Sequence, residues 1–149
     1  MSKMYPIMLN LENKKVLVVG GGRIARRKVE FLQGTGASVT VISPILEDSF
    51  KNLEFNWLKM TYKQGLANEY FLVFACTNKK EVNQLVVKDC KEGQLVNDTS
   101  CQNHSNFFNM AVISNKECLI GISTYGKNPS KSKLIKHELL KWLKNFKFD

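Results

Sequence analysis

Short runs of apolar residues, each closed by polar or glycine-rich turns, frame this chain of 149 residues. After an extended lead-in at residues 5–9 and a polar turn at 10–14, Lys15 opens the run Val16-Leu17-Val18-Val19. Apolar residues fill consecutive rather than alternate places there, as in a strand buried on both faces. From Gly22 to Gln33 the period changes to that of a helix, with Ile24, Ala25, Val29 and Leu32 on one stripe and Phe31 beside it. Gly34 and Gly36 close that helix. Residues 37–42 predict a second strand, stopped by Ser43-Pro44. Residues 46–53 predict a short helix, 54–60 a third strand and 70–75 a fourth. Residues 79–91 predict a helix with Val82, Leu85, Val86 and Cys90 on one face, and 94–96 a fifth strand. Alternating strands and helices in this order predict an α/β fold, a Rossmann-like parallel sheet with helices on both faces.

Beyond Asn97 the texture changes. Residues 98–106 are polar and loop-like, and 107–113 and 117–123 predict a β-hairpin turning at Ser114-Asn115-Lys116. Asn128-Pro129 is suited to cap and open a terminal helix. On it Ile135, Leu139, Trp142 and Phe146 recur at helical spacing, and Leu134, Leu140 and Leu143 widen the stripe. So broad a stripe needs a cover, either a second copy of the chain in a homodimer or packing within the monomer.

Composition narrows the partners. The formal charge of +9 favours a polyanion. No Arg-rich block with interleaved aromatics appears, so nucleic acid is not expected. No apolar stretch is long enough to cross a membrane, and the N-terminus lacks the apolar segment of a signal peptide, so a cytoplasmic protein is expected. Cys76, Cys90, Cys101 and Cys118 lie far apart, and with two histidines they form no metal-binding pattern. They read as small, partly buried thiols.

The candidate chemistry begins at Gly20-Gly21-Gly22-Arg23-Ile24-Ala25, between the first strand and the first helix. Gly-x-Gly-x-x-Ala in that context is a dinucleotide-binding turn. Gly20 allows the tight turn, Gly22 lets the backbone approach a pyrophosphate, and Ala25 lets helix and strand pack closely. Free N–H groups at the helix start then face the phosphates, with Gly22, Arg23 and Ile24 as contacts. Many NAD enzymes hold the ribose with an acid after the second strand. Ser43 and Pro44 stand there instead, leaving Ser43 or Glu47 to reach the ribose.

Taken together, several stretches resemble the precorrin-2 dehydrogenase family of siroheme biosynthesis, including the N-terminal part of siroheme synthases. They are Tyr5-Pro6-Ile7-Met8-Leu9, the glycine turn running into Arg26-Arg27-Lys28, Phe74-Ala75-Cys76-Thr77-Asn78, Val96-Asn97-Asp98, and Ile122-Ser123-Thr124-Tyr125-Gly126-Lys127-Asn128-Pro129. The resemblance covers essentially the whole chain. It implies an NAD-binding Rossmann domain, here residues 1–112, followed by a dimerisation region of hairpin strand and helix, here 113–149. It also implies oxidation of precorrin-2 to sirohydrochlorin with NAD⁺, and in some members insertion of ferrous iron. Members commonly continue into a further helical segment, whereas this sequence stops at Asp149.

The reaction needs a hydride acceptor, NAD⁺, and a base. The family carries Asn-x-x-Asp after the fifth strand. Here the fourth place is Ser100, and the nearest carboxylate is Asp98, either the catalytic base or the cap of a turn. His104, in the same loop, is a candidate for hydrogen-bonding the substrate or sharing proton transfer. Thr77 ends the fourth strand as a contact for ribose or nicotinamide, and Asn97 ends the fifth as one for nicotinamide or substrate. Precorrin-2 carries eight carboxylate arms, for which Lys127, Lys131, Lys133 and the Arg26-Arg27-Lys28 run are candidate partners. Thr124 is a candidate substrate contact or a packing residue. A competing expectation is an NAD(H)-sensing regulatory module that binds the nucleotide without catalysis.

Overall fold

A computed structural model describes residues 4–144. Its contacts divide the chain into two compact units: Ile7–Phe107, and the N-terminal residues up to Pro6 together with the chain from Phe108 onward.

The larger unit is built on a five-stranded parallel sheet of β1 (Lys15–Val19), β2 (Ser38–Ile42), β3 (Asn56–Leu58), β4 (Leu72–Ala75) and β5 (Leu95–Asp98). The strand order is β3-β2-β1-β4-β5. Helix α1 (Arg23–Leu32) follows β1, and α2 (Lys80–Asp89) follows β4. Successive side chains of a strand point to opposite faces, and the core divides accordingly. Val16, Val18, Val39, Val41, Leu72 and Phe74 pack with Ala25, Val29 and Leu32 of α1. Leu17, Val19, Ile42, Val73, Ala75 and Val96 pack with Val86 of α2. Both faces are covered, which is why the strands read as unbroken apolar runs.

Of the boundaries that differ from the sequence-based expectation, three have a clear physical reason. Residues 46–53 form only a 3-10 turn, Asp48–Phe50. Phe50 is buried there, edge-on to Phe55 at 5.5 Å, while Asn52 takes a positive φ of 74° that no helix continues. The third strand shrinks to Asn56–Leu58 at the sheet edge, where only one neighbour supports it. The fifth strand runs two residues further than its apolar pattern, through Asn97 and Asp98. Pairing with Phe74 and Ala75 carries the ladder on, and both side chains find polar partners in the segment that follows.

The smaller unit holds the antiparallel hairpin β6 (Ala111–Ser114) and β7 (Leu119–Ile122), with α3 (Pro129–Leu143) packed on it. Asn128 caps α3 by accepting a hydrogen bond from the Lys131 N–H at 2.9 Å, with Pro129 in the first turn. Ser132 is the buried residue of α3, whereas Leu134, Leu140 and Trp142 are exposed. Phe146 of the expected stripe lies outside the described residues.

Candidate active site at the carboxyl edge of the sheet

The sheet register places Leu58, Ile42, Val19, Ala75 and Asp98 in one row across the carboxyl ends of the strands. The chain leaves β1 towards β2 on one side and resumes at β4 on the other. The crevice between β1 and β4 is therefore the topological switch point, where open α/β sheets bind their ligands. The glycine turn leaves β1 there, and Asp98 lies two strands away, roughly 10 Å at ordinary strand spacing.

Each of the three glycines has a separate reason. Gly20 has φ 130°, and a Cβ on it would sit 2.7 Å from the carbonyl oxygen of Cys76. A Cβ on Gly21 would sit 2.0 Å from the carbonyl oxygen of Ile45. The Glu47 N–H donates to the Gly21 carbonyl at 2.8 Å, so the segment after β2 is tied across the turn. Gly22 differs from both. A Cβ there would meet only Oε1 of Glu47, at 3.6 Å. No backbone or packed side chain thus closes the space before Gly22, and only the exposed carboxylate of Glu47 borders it.

Helix α1 opens at Gly22 without a side-chain cap or an acidic residue in its first turn. Its first N–H groups face that opening, as a pyrophosphate requires. Arg23 is exposed, and Ile24 is 47% exposed, an apolar side chain that the core does not use. The Nε of Arg26 is buried without a hydrogen-bond partner. These residues fit a dinucleotide. Lys28 lies further along α1 with its ammonium 5.0 Å from the centre of the Phe74 ring, and burial holds it below the usual lysine range.

Ser43 is buried, and its hydroxyl donates to the Ile45 carbonyl at 2.6 Å. Its single proton is committed to shaping the loop. Pro44 is exposed beside it. Glu47 is exposed, with its carboxylate next to the glycine turn.

A continuous polar network occupies the ends of β4 and β5. Asn83 of α2 is fully buried. Its Oδ1 accepts from the N–H of Thr77 at 3.0 Å and from the Thr77 hydroxyl at 2.7 Å. Its Nδ2 donates to the Thr77 carbonyl at 3.1 Å and to Oγ of Ser100 at 3.2 Å. The Ser100 hydroxyl donates to Oδ1 of Asp98 at 2.6 Å, and the Ser100 N–H donates to the same oxygen at 2.8 Å. The other carboxylate oxygen, Oδ2, lies 3.0 Å from Nδ1 of His104. One oxygen of Asp98 therefore caps a turn, and the other holds an imidazole. Burial raises the Asp98 pKa, but the hydrogen bonds from Ser100 and His104 outweigh it and leave the carboxyl below its ordinary value.

Asn97 is also buried, and its Nδ2 donates to the Phe107 carbonyl at 3.1 Å, pinning the returning segment. Ser105 helps by accepting from the Asp98 N–H at 2.9 Å. Thr124 and Lys127 belong to the smaller unit. Oγ1 of Thr124 is 2.8 Å from the Asn128 carbonyl and 2.9 Å from Oγ of Ser132, which secures the entry to α3. Lys127 is exposed.

Sequence reasoning passed over Gly21, Asn83 and Ser105. Asn83 was visible in principle. It shares the stripe of Val86 and Cys90, and a polar residue at a core position needs partners. All four cysteines are free. Burial raises Cys76 to about 12 and Cys90 to about 11, so neither is a nucleophile at neutral pH. Among the described residues no group of three His, Cys, Asp or Glu side chains is placed to hold a metal ion. No described helix is long and apolar enough to cross a membrane.

Fold and crevice together define a dinucleotide-binding protein of the Rossmann type. Residues 7–111 match the sequence profile of a family described as "Putative NAD(P)-binding". The precorrin-2 dehydrogenase of Priestia megaterium is 36% identical over 141 residues, 91% of this chain and 69% of that protein. A solved structure of SirC, a precorrin-2 dehydrogenase, superposes with a TM-score of 0.84 at 31% identity, covering 97% of this chain and 72% of that one. The chain belongs to the precorrin-2 dehydrogenase and siroheme synthase family. The siroheme synthase of Blochmanniella pennsylvanica is 32% identical over 139 residues, and the chain spans only 29% of its length.

Proposed function

We propose that this protein dehydrogenates precorrin-2 to sirohydrochlorin with NAD⁺ as hydride acceptor. The observation that carries the reading is the hydrogen-bonded Asp98–His104 pair, at the carboxyl edge that also carries an open glycine cradle. A nucleotide-sensing module has use for the cradle but none for an ionised carboxylate holding an imidazole. Bound NAD⁺ supplies the chemistry of hydride acceptance. The protein's own part is to hold the pyrophosphate at Gly22, Arg23 and Ile24, and to accept a proton at the Asp98–His104 pair. Asn97 ties the segment after His104 to the end of β5, and Thr77 is joined through Asn83 to Ser100 beside Asp98.

The experiment is a coupled assay of the purified protein with precorrin-2 and NAD⁺. NADH should appear together with the spectrum of sirohydrochlorin. Nucleotide binding without turnover, under conditions in which the Priestia megaterium enzyme works, would favour the sensing module.

We place a preference for NAD⁺ over NADP⁺ on Glu47. Its carboxylate flanks the glycine turn on the side of the β2 end, and would stand in for the ribose-binding acid missing after Ile42. A 2′-phosphate placed there would meet a like charge. Glu47→Ser is expected to narrow the ratio of NAD⁺ to NADP⁺ affinity by about tenfold, read by calorimetric titration of both nucleotides. An unchanged ratio would remove Glu47 from specificity.

We assign the exposed Leu134, Leu140 and Trp142 of α3 to a homodimer contact. A single-chain mass by light scattering would reject it. Free cysteines throughout accord with a cytoplasmic location.

A further inference from the structure

The side chain of Asp98 is 0% exposed, whereas that of His104 is 36% exposed. A carboxylate with no accessible surface does not touch a substrate without rearrangement. The imidazole it holds has exposed surface at which a substrate can reach it. Asp98 is an acceptor only, at both oxygens, when ionised. The 3.0 Å contact to Nδ1 of His104 then needs the proton on Nδ1. In the neutral ring this leaves the lone pair on Nε2, the remaining ring nitrogen. Ser100 fixes Oδ1 of Asp98 through two hydrogen bonds, so the carboxylate does not swing away from the ring.

We propose that the proton lost by the substrate is taken by Nε2 of His104, and that Asp98 is a positioning residue acting through His104 rather than the base itself. The assignment rests on the dehydrogenase reading above. The substrate gives up two electrons and one hydrogen nucleus as hydride, accepted by bound NAD⁺, and one proton, accepted by Nε2. NADH and an imidazolium result. Asp98 stabilises that imidazolium, which then returns its proton to water. Ser100, at the family's carboxylate place, would then orient the carboxylate supplied from two residues earlier.

The test uses the full chain with precorrin-2 and NAD⁺. His104→Ala is expected to lower kcat by about 10²–10³-fold, with KM and NAD⁺ affinity close to wild type. Added imidazole should restore part of the rate in proportion to its concentration, which a structural role for His104 would not produce. His104→Gln covers the case in which alanine disorders the loop, NAD⁺ binding reporting the fold. Asp98→Asn should also lower kcat, for a particular reason. Its amide can present an N–H to Nδ1 and so drive the ring into the Nε2–H form. Nitrogen-15 chemical shifts of His104 should show Nδ1–H in the wild type and Nε2–H in Asp98→Asn. An active wild type with His104→Ala at nearly the same rate overturns the assignment. If Asp98→Asn alone is inactive, Asp98 is the base. A wild type inert towards precorrin-2 overturns the reaction itself, and an Nδ1–H ring in that inert protein locates the error in the reaction rather than the pair.

Discussion

Gly21→Ala is expected to destabilise the protein by about 3 kcal/mol, lowering the thermal midpoint by roughly 10 °C. The reason is that a methyl group on Gly21 would lie 2.0 Å from the carbonyl oxygen of Ile45 and 2.6 Å from Oγ of Ser43. Neither neighbour is a flexible tip. The Ile45 oxygen is backbone and already accepts from the Ser43 hydroxyl. The Glu47 N–H to Gly21 carbonyl bond holds the two strands of chain against each other. Relief requires parting the β1 turn from the segment after β2. Gly22→Ala should behave in the opposite way. Its backbone is extended at φ −95°, ψ −172°, and its nearest contact of 3.6 Å is ordinary. Stability should stay within about 0.5 kcal/mol, while NAD⁺ affinity falls by about tenfold or more because the methyl fills the phosphate approach. Thermal unfolding and calorimetric titration on the two variants separate these roles. A Gly22→Ala protein that binds NAD⁺ normally would mean that the pyrophosphate does not lie against Gly22.

The same two glycines mark what was legible in the sequence. The parallel sheet was legible because strands buried on both faces leave unbroken apolar runs, and because Gly34 and Gly36, both at positive φ, end α1 where the pattern stops. The dinucleotide turn was legible from Gly20 and Gly22. The middle glycine was not, since its neighbour Ile45 is 24 residues away and no local rule predicts that contact. The end of the fifth strand was misplaced because its last two residues are polar. Their partners, Phe107 and His104, return to them through a polar segment whose 3-10 turn, Gln102–His104, leaves no periodic signal. Asp98 and His104 were separately visible as chemistry. That one is shut away while the other reaches solvent is a matter of burial, which spacing does not encode. The smaller unit was legible in its hairpin and in the Asn128-Pro129 start of α3, both of which are set by local turn and capping rules.

Asn83→Leu tests the network that spacing did not disclose, and it is expected to cost about 3 kcal/mol although leucine is similar in size and suits a helix interior better than asparagine. Asn83 uses Oδ1 and Nδ2 on both the N–H and the carbonyl of Thr77, so the substitution strands two backbone groups at the end of β4. Each buried orphan costs about 1–3 kcal/mol. Added helix propensity offsets only a few tenths. The substitution also removes the donor to Ser100 Oγ, the atom that in turn donates to Asp98. Asn83 thereby joins the loop after β4 to the carboxylate after β5. The urea midpoint of Asn83→Leu should fall with an unchanged slope, since the surface exposed on unfolding is nearly the same. Under conditions where the variant remains folded, kcat should fall as Asp98 loses its fixed position, with NAD⁺ affinity less affected. A wild-type midpoint would mean that Thr77 finds other partners and that the two strand ends are held independently.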